Sequence, residues 1–354
     1  MRLALLFLIT MSLHSLFAER IYFGCPTGIF VSEWKSGILG PAKLAAASEN
    51  PSFLAVSKNG RFLYSVAEKN TGAVVAWVIA DDGTLKKLND QPSGGADPCH
   101  IFLTPNEKIL LVANYSGGSI AAFPLQADGT IGSQSSFVQL TGKGPNPNRQ
   151  NGPHAHGIYC DSAGQTVYVP DLGTDHVWIY ALSPDGVLTA LEPATLPPGS
   201  GPRHLAFSPD GSSIYVNGEM DLTLNTIELK SKFRITDPVL PVGIASEGAD
   251  TAEIAAHPNE KYLYVSTRGY SSISSFRISP DGGKLSFLDN IPTGVDGPRH
   301  FSISPDGSWM VVPGQKANQV AVFALDSDTG KLSPKSKIDL AAPMCAVFAG
   351  TPEN

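Results

Sequence analysis

The strongest constraint on the fold of this chain is that its sequence repeats. Six copies of one pattern begin at or near Pro51, Pro98, Pro153, Pro202, Thr251 and Pro298. The second and fifth copies share the tetrapeptide PNEK in register, and the fourth and sixth share PRH followed by SPDG. The copies recur about every 45 to 55 residues, which is the length of one four-stranded repeat unit. Because one such sheet cannot bury both of its faces alone, the copies must stack on one another.

Each copy has the period of β-strands, and helical periodicity is nearly absent. Short apolar segments alternate with Pro-Asp-Gly or Asp-Gly turns along every copy. The pattern predicts an all-β chain that forms a seven-bladed β-propeller with four-stranded blades. Two separate β-sandwiches are the alternative, and they require a linker near the middle of the chain. The irregular stretch found there, Gly142–Gly152, is an insertion within the repeat array.

The two ends of the chain together supply the seventh blade. Ala342–Gly350 has the pattern of a first strand and then the repeat stops, whereas Ile21–Phe23, Gly28–Trp34 and Lys43–Ala47 lack a first strand. Pairing the two ends closes the ring and leaves no free sheet edge between the first and last blades.

The N-terminus has the layout of a secretory signal peptide. Arg2 precedes an apolar stretch, Leu3–Ile9, and Ala18 offers a cleavage position. We therefore expect residues 1–18 to be removed and residues 19–354 to form an exported propeller, periplasmic or secreted. An uncleaved N-terminal anchor is the alternative. No later stretch has the roughly 20 apolar residues that a membrane helix requires.

Charge and cysteine content narrow the possible partners. A net charge of −7, without any run of Lys and Arg, argues against a nucleic-acid partner. The four cysteines show no metal-binding spacing, so we expect no zinc site, and the sequence leaves a disulfide open. No cofactor motif is present, and the sequence does not indicate an oligomeric state.

Aligning the copies shows which side chains share a position along the central channel. The residue after the opening proline is Ser52, Cys99, Arg203 or Arg299, and a longer turn in the third copy brings His156 opposite Arg203 with His154 before it. The following position holds His100, His204, Glu253 and His300. The ends of the second strands carry Glu68, Tyr115, Leu172, Glu219, Arg268 and Gln315. These charges indicate a functional site, although a channel whose polar groups satisfy one another is the alternative. We interpret His204 and His300 as structural because PRH occurs in two copies.

Several of these segments resemble the lactonase family of seven-bladed propellers. The segments are RQ (Arg149 and Gln150), PHAH, VPDLG, GPRHLAFSPDG, NGE and STRG, and the similarity extends from about residue 20 to residue 349. The family includes a bacterial type of 6-phosphogluconolactonase and a fungal carboxy-cis,cis-muconate cyclase. The resemblance implies catalysis on a lactone or its ring-opened acid by His156, Arg203, Glu219 and Arg268.

This set can hydrolyse a lactone without a metal ion. Arg203 and Arg268 would stabilise the tetrahedral oxyanion or hold an anionic group of the substrate. Either Glu219 or His156 could act as the general base, and Glu219 is preferred. Further residues are predicted to bind a small anionic or sugar-derived lactone: His100, His154, Arg149, Gln150, Asp171 and Arg299.

The sequence leaves several alternatives open. A metal-dependent site would use Asn114, Asp171 and Glu219, but the adjacent arginines would repel a cation. A cyclase that closes a diacid to a lactone is an alternative function. A non-catalytic binding propeller of the cell envelope is another, since fold does not determine function. Export also leaves open whether the natural lactone carries a phosphate.

Overall fold

The computed structural model describes residues 19–231, 234–238 and 248–350. Over these residues the chain forms thirty β-strands, no helix, and seven small antiparallel sheets arranged in a ring. The prediction of a seven-bladed β-propeller is confirmed. The predicted signal peptide lies outside the described residues. The described residues include no helix that is long and apolar enough to cross a membrane.

The strands follow the repeat blade by blade. Four belong to blade seven: β1 (Glu19–Cys25), β2 (Gly28–Lys35), β3 (Ile38–Leu39) and β4 (Lys43–Ala47). Blade one contains β5 (Leu54–Val56), β6 (Phe62–Ala67), β7 (Ala73–Ile79) and β8 (Leu85–Pro92). Blade two contains β9 (Pro98–Leu103), β10 (Ile109–Asn114), β11 (Ser119–Pro124) and β12 (Ser136–Gln139). Blade three contains β13 (Tyr159–Cys160), β14 (Thr166–Asp171), β15 (His176–Leu182), β16 (Leu188–Ala190) and β17 (Ala194–Thr195).

The second half of the ring repeats the same order. Blade four contains β18 (Pro202–Phe207), β19 (Ser213–Gly218), β20 (Thr223–Glu228) and β21 (Arg234–Pro238). Blade five contains β22 (Asp250–Ala256), β23 (Tyr262–Arg268), β24 (Ser272–Ile278) and β25 (Leu285–Pro292). Blade six contains β26 (Ser302–Ile303), β27 (Trp309–Gly314), β28 (Gln319–Leu325) and β29 (Leu332–Asp339). The final strand is β30 (Cys345–Ala349).

Every blade is a sequential antiparallel sheet, and its first strand lies innermost. First strands of neighbouring blades contact one another, as β5 does with β9 and β18 with β22. In blades three and seven the outermost strand is split in two, so β16 and β17 both pair with β15, and β3 and β4 both pair with β2.

The ring closes as the ends of the chain predicted. β30 pairs with β1 in antiparallel register, with Gly24 opposite Cys345 and Arg20 opposite Ala349. β30 therefore supplies the first strand that the N-terminal part of blade seven lacks. The four cysteines are buried and carry free thiols.

Apolar cores lie between adjacent blades because both faces of each sheet are covered. The cluster between blades six and seven, for example, combines Phe23 and Trp34 with Val311 and Val322. The second strands are buried along most of their length, and Phe62–Ala67 is buried throughout, which explains their nearly continuous apolar sequences.

A tyrosine hydroxyl ties several blades to the next one. The tyrosine of a blade's second strand donates a hydrogen bond to a turn glycine carbonyl of the following blade. The pairs and their oxygen to oxygen distances are Tyr22 to Gly83 (2.9 Å), Tyr64 to Gly129 (3.0 Å), Tyr215 to Gly282 (2.8 Å) and Tyr264 to Gly330 (3.0 Å). Each of these glycines has a positive φ, which the Asp-Gly turns of the repeat require. The Tyr-rich strands and Asp-Gly turns seen in the sequence are thus two halves of one inter-blade contact.

Candidate active site

One buried carboxylate organises the predicted catalytic residues. Glu219 follows β19 directly, and its side chain is 4% exposed. Arg149 Nη2 lies 2.6 Å from Glu219 Oε1, while Arg203 Nε and Arg268 Nη2 each lie 3.0 Å from Oε2. We call these four residues the Glu219 cluster. Three of the four predicted catalytic residues therefore meet at one point, together with Arg149 from the insertion.

The contacts in the Glu219 cluster differ in their hydrogen-bond geometry. Arg149 donates an aligned hydrogen bond to Glu219 Oε1. Neither Arg203 Nε nor Arg268 Nε has an aligned acceptor in the described structure, and Glu219 Oε2 receives no aligned donor despite the two 3.0 Å separations. Arg203 Nη1 instead donates to the Ala252 carbonyl at 2.5 Å. The charges are therefore close together while part of their hydrogen-bonding capacity is unused.

Glu219 and Arg203 both stay ionised at neutral pH. Burial alone would raise the pKa of Glu219, but Arg268, Arg203 and Arg149 together outweigh it and lower that pKa. Burial lowers the pKa of Arg203 to about 10, with Arg268 adding to the decrease and Glu219 opposing it. Three guanidinium groups thus face the Glu219 carboxylate, and the Asp250 carboxylate lies 3.9 Å from Arg268 Nη2, so one positive charge remains in excess.

A β-bulge aims Arg203 into the channel. The pairing between β18 and β19 shifts register between Pro202 and Leu205, and the same irregularity occurs in blade five between Thr251 and Ile254. The freed His204 N–H is bound by the Asn217 side chain at 2.9 Å. Bulges at the start of a strand redirect side chains in this way, so the repeat itself builds the positions of the site.

His156 lies beside the Glu219 cluster and is buried. Its backbone N–H donates to the Pro170 carbonyl at 3.0 Å, and its Nδ1 lies 3.9 Å from the Cys99 thiol. Burial, reinforced by the charge of Arg203, holds the pKa of His156 well below its ordinary value. The imidazole is therefore neutral at pH 7 and has a lone pair available.

Two stacked rings stand at the rim near Arg149. Tyr115 and His154 stack with ring centres 4.7 Å apart and planes inclined by 20°. His154 Nδ1 lies 3.0 Å from the Tyr115 carbonyl, and Arg149 Nη2 lies 3.4 Å from the Tyr115 hydroxyl. The structure thus places His154, predicted to bind substrate, in a partly buried stack with Tyr115.

Gln150 holds the insertion loop in place. It is completely buried, and its Nε2 donates to the Leu172 carbonyl at 2.9 Å and to Asp175 Oδ1 at 2.7 Å. Its Oε1 accepts the Asn146 N–H at 3.1 Å. These contacts use the amide inside the loop and fix the neighbouring Arg149. A role of Gln150 in binding substrate stays a prediction.

Asp171 has a similar supporting place. Its carboxylate is completely buried and accepts hydrogen bonds from the backbone of His154 and Gly173 and from the side chains of Thr174 and Trp178. Four donors occupy both oxygens. The prediction that Asp171 contacts a ligand is not supported by this geometry, because its bonding capacity is spent on holding the turn that carries His154.

A layer of rings closes the channel beneath these residues. The Phe53 ring centre lies 4.1 Å from that of His100, 6.1 Å from that of His204 and 5.5 Å from that of His300. Glu253 Oε1 lies 3.1 Å from His204 Nδ1, and Glu253 Oε2 lies 3.3 Å from His300 Nε2. His100, predicted to bind substrate, belongs to this floor with the two histidines interpreted as structural. These contacts join residues from blades one, two, four, five and six.

Arg299 stands on the wall across the channel from the Glu219 cluster. Its Nη2 lies 3.9 Å from Glu68 Oε1, and both side chains are 21% exposed. The sequence alignment placed Glu68 and Ser52 at channel positions but assigned them no role. Their register positions, shared with Glu219 and Arg203, were the available signal.

The candidate metal ligands do not converge. Asn114 Nδ2 donates to Ser93 and Ser119, and Asp171 is engaged as described above. Among the residues that the structure describes, no three His, Cys, Asp or Glu side chains are grouped to hold a metal ion.

Comparison with known proteins agrees with the fold. The family model described as "Lactonase, 7-bladed beta-propeller" matches residues 20–348. The 6-phosphogluconolactonase of Bacillus subtilis is 32% identical, covering 88% of this chain and 90% of its own. The 6-phosphogluconolactonase of Formosa agariphila is 31% identical, covering 86% and 90%. The solved structure of a protein from Lactobacillus plantarum superposes with a TM-score of 0.87 at 30% identity, covering 94% of this chain and 99% of that one. The chain belongs to the lactonase family of seven-bladed β-propellers.

Proposed function

We propose that this protein hydrolyses a sugar-derived lactone at the mouth of its channel, in the manner of a 6-phosphogluconolactonase and without a metal ion. The observation that carries the proposal is the Glu219 cluster, in which one carboxylate holds three arginines beside a neutral histidine. The two relatives named 6-phosphogluconolactonase, at 32% and 31% identity, support the same reaction.

Arg203 and Arg268 stabilise the oxyanion in this proposal. Attack of water on the lactone carbonyl moves negative charge onto the carbonyl oxygen, and a fixed cation favours that charge more than the neutral ester. The Arg268 side chain is 20% exposed and can approach this oxygen, while the buried Arg203 beside it adds a second positive charge. Glu219 keeps the guanidinium groups in position, so little reorganisation accompanies the reaction.

We assign the general base to His156 and not to Glu219, which reverses the preference drawn from the sequence. Three arginines make the Glu219 carboxylate a weak base and surround both of its oxygens. His156 is neutral and can take a proton from the attacking water as the C–O bond to the carbonyl carbon forms. When the ring C–O bond breaks, the same imidazolium returns the proton to the leaving alkoxide. The product is a hydroxy acid, which ionises in water.

The remaining predicted residues have supporting places in this scheme. Arg149 fixes Glu219 Oε1, and His154 with Tyr115 forms the rim past which a substrate enters. Gln150 and Asp171 hold the loops that carry Arg149 and His154, and His100 lies in the floor. A metal ion has no part because three guanidinium groups around Glu219 would repel it.

The test is hydrolysis of glucono-δ-lactone and its 6-phosphate by the purified protein, followed by pH-stat titration with and without a chelator. Arg203→Ala and Glu219→Ala should each lower turnover at least roughly a hundredfold, the effect of losing an oxyanion donor or its support. Arg61→Ala is the control because Arg61 lies on the surface against the Phe62 ring. Chelator-resistant turnover supports the proposal, whereas wild-type rates equal to the buffer background for both lactones overturn it.

We also propose that the protein is exported and that residues 1–18 are a signal peptide, on the basis of the apolar N-terminus alone. The mass of the protein recovered from the periplasm or culture medium should correspond to a chain beginning at Glu19. Retention of residues 1–18 in the mature protein contradicts this.

A further inference from the structure

The channel wall opposite the Glu219 cluster carries a second Arg/Glu pair with a different character. Arg299 occupies the position of Arg203 in the repeat, and Glu68 occupies the position of Glu219. In the Glu219 cluster the charges are 2.6 to 3.0 Å apart, but Arg299 Nη2 and Glu68 Oε1 are 3.9 Å apart. Across the described chain neither of these two side chains makes a hydrogen bond, so a guanidinium and a carboxylate face the channel with unused capacity.

Ser52 belongs to the same wall. Its backbone N–H and that of Glu68 both donate to the Asn50 carbonyl, at 2.8 and 3.1 Å, and Asn50 Nδ2 donates back to the Glu68 carbonyl at 2.9 Å. These bonds lock Ser52 and Glu68 side by side. The Ser52 hydroxyl is buried, with 3% of the residue exposed, and it has no partner among the described atoms. A buried hydroxyl without a protein partner keeps the capacity for a further hydrogen bond.

This wall faces the same pocket as the Glu219 cluster. His204 and His300, which directly follow Arg203 and Arg299, lie 3.1 and 3.3 Å from the two oxygens of the same Glu253 carboxylate. The ring of Phe53, the residue after Ser52, lies 5.5 Å from the His300 ring. A molecule whose carbonyl lies at Arg203 therefore extends towards Arg299 and Glu68.

We infer that Ser52, Glu68 and Arg299 form a hydroxyl-binding subsite that recognises the sugar hydroxyls of the lactone. The inference rests on the proposed function and specifies its substrate class as a polyhydroxylated lactone.

The 3.9 Å separation between Arg299 Nη2 and Glu68 Oε1 determines which groups this subsite can bind. It is too long for a direct hydrogen bond, yet one hydroxyl can accept from Arg299 Nη2 and donate to Glu68 Oε1 at the usual lengths of about 2.7 to 3.0 Å. Ser52 Oγ can bind a neighbouring hydroxyl as donor or acceptor. Because the charge of Glu68 offsets that of Arg299, this wall does not favour a second anion. It matches neutral hydroxyl groups, whereas the Glu219 cluster has the positive excess that an oxyanion needs.

The experiment compares two lactones of equal ring size, glucono-δ-lactone with its hydroxyls and δ-valerolactone without them. Glu68→Gln should lower kcat/KM for glucono-δ-lactone about tenfold, the effect of a charged hydrogen bond, and Ser52→Ala should lower it about fivefold. Neither change should alter kcat/KM for δ-valerolactone. Glu49→Gln, at an exposed glutamate paired with Lys69, is the matched control.

Two outcomes overturn the subsite. An equal loss on both lactones would show that the substitutions disturb the fold or the reacting groups, and an unchanged kcat/KM on both would show that the side chains touch no hydroxyl. Thermal unfolding of each variant separates a folding defect from a local one.

A binding measurement keeps the subsite testable apart from turnover. If the wild-type protein hydrolyses neither lactone, the proposed function fails, and calorimetric binding of D-gluconate and of 5-hydroxypentanoate then decides the subsite. Weaker binding of D-gluconate alone in Glu68→Gln supports the subsite, and equal binding of each ligand by wild type and variant overturns it.

Discussion

Blades four and six begin with the same tripeptide, Pro-Arg-His, yet their arginines lie in opposite kinds of surroundings. Arg203 is 1% exposed and contacts Glu219 from its own blade, with Arg149 and Arg268 close by. Arg299 is one-fifth exposed and reaches only within 3.9 Å of Glu68, a residue of blade one. Local sequence places both side chains at the channel, but residues from other blades decide what each can do. The buried cluster suits charge stabilisation, and the open pair suits recognition of a neutral group.

The largest expected effect is on the free energy of unfolding, and it should differ between variants of Glu219 and Glu68. Glu219→Gln leaves three buried or half-buried guanidinium groups without their counter-charge, so the free energy of unfolding should fall by about 3 to 5 kcal/mol. Glu68→Gln removes a long, partly solvated contact and should cost no more than about 1 kcal/mol. Urea unfolding of both variants measures the difference. Equal losses would abolish the distinction between the two pairs.

The second largest effect should be a difference between Arg203 and Arg299 in their contributions to kcat and KM. Arg203→Ala should reduce kcat by about a hundredfold to a thousandfold because it removes a fixed positive charge that stabilises the oxyanion. Arg299→Ala should act mainly on KM for a polyhydroxylated lactone, by about tenfold, because it binds substrate and transition state alike. Steady-state kinetics with glucono-δ-lactone provide the comparison. A larger loss of kcat in Arg299→Ala would assign the reacting half of the pocket to the wrong wall.

Acid should lower the free energy of unfolding because several buried histidines are neutral in the folded protein. Burial lowers the pKa of His300 to about 4, with Glu253 opposing the shift and the charges of His204, Arg203 and Arg299 adding to it. Burial also holds the pKa values of His156 and His204 well below 6.5. Between pH 6.5 and about 4 the unfolded chain therefore binds more protons than the folded chain, so stability is complete above pH 6.5 and falls with acidification.

The expected slope is about 1.4 kcal/mol per pH unit for each such histidine. Glu253 offsets part of it because burial raises the pKa of that carboxyl. Urea unfolding at pH 7 and pH 5 tests the sign, and His300→Gln should reduce the slope. Stability that rises on acidification between these values would falsify the assignment of neutral histidines.

The smallest expected effect is a loss of unfolding free energy that should be equal for substitutions in blades one and four. Tyr64→Phe in blade one and Tyr215→Phe in blade four each remove a buried hydrogen bond to a turn glycine, at 3.0 and 2.8 Å. Each should lower the free energy of unfolding by about 1 kcal/mol without changing kcat. Differential scanning calorimetry is sensitive enough to compare them. Unequal losses would mean that the scaffold, and not only the pocket, differs between the two halves.

The repeat was sufficient to predict the blades and their closure. The Asp-Gly turns, the buried second strands and the unpaired ends of the chain are local patterns, and the pairing of β30 with β1 follows from them. The alignment also brought Arg203, Glu219 and Arg268 to the channel, because a repeat places equivalent residues at equivalent positions. Register alone, however, did not reveal the contacts that distinguish their roles.

The sequence could not determine the hydrogen-bond partners of Gln150 and Asp171 or the identity of the general base. A polar residue near a channel can point into it or into its own loop, and only the observed donors around Asp171 and Gln150 distinguish these cases. The preference for Glu219 as base had the same weakness, since its basicity depends on how many arginines surround it. Arg149 joins that group from an insertion outside the repeat, so no alignment of blades could have placed it there.

The sequence by itself determined the period, the all-β character, the closing strand and the set of side chains directed at the axis, because these depend on short-range patterns repeated six times. Tertiary structure alone decided that Arg203 is held by a carboxylate shared with two other arginines while Arg299 faces Glu68 across an open gap. The physical reason is that the strength of an ion pair, the burial of a charge and the basicity of an imidazole depend on distances between blades that are far apart in the chain.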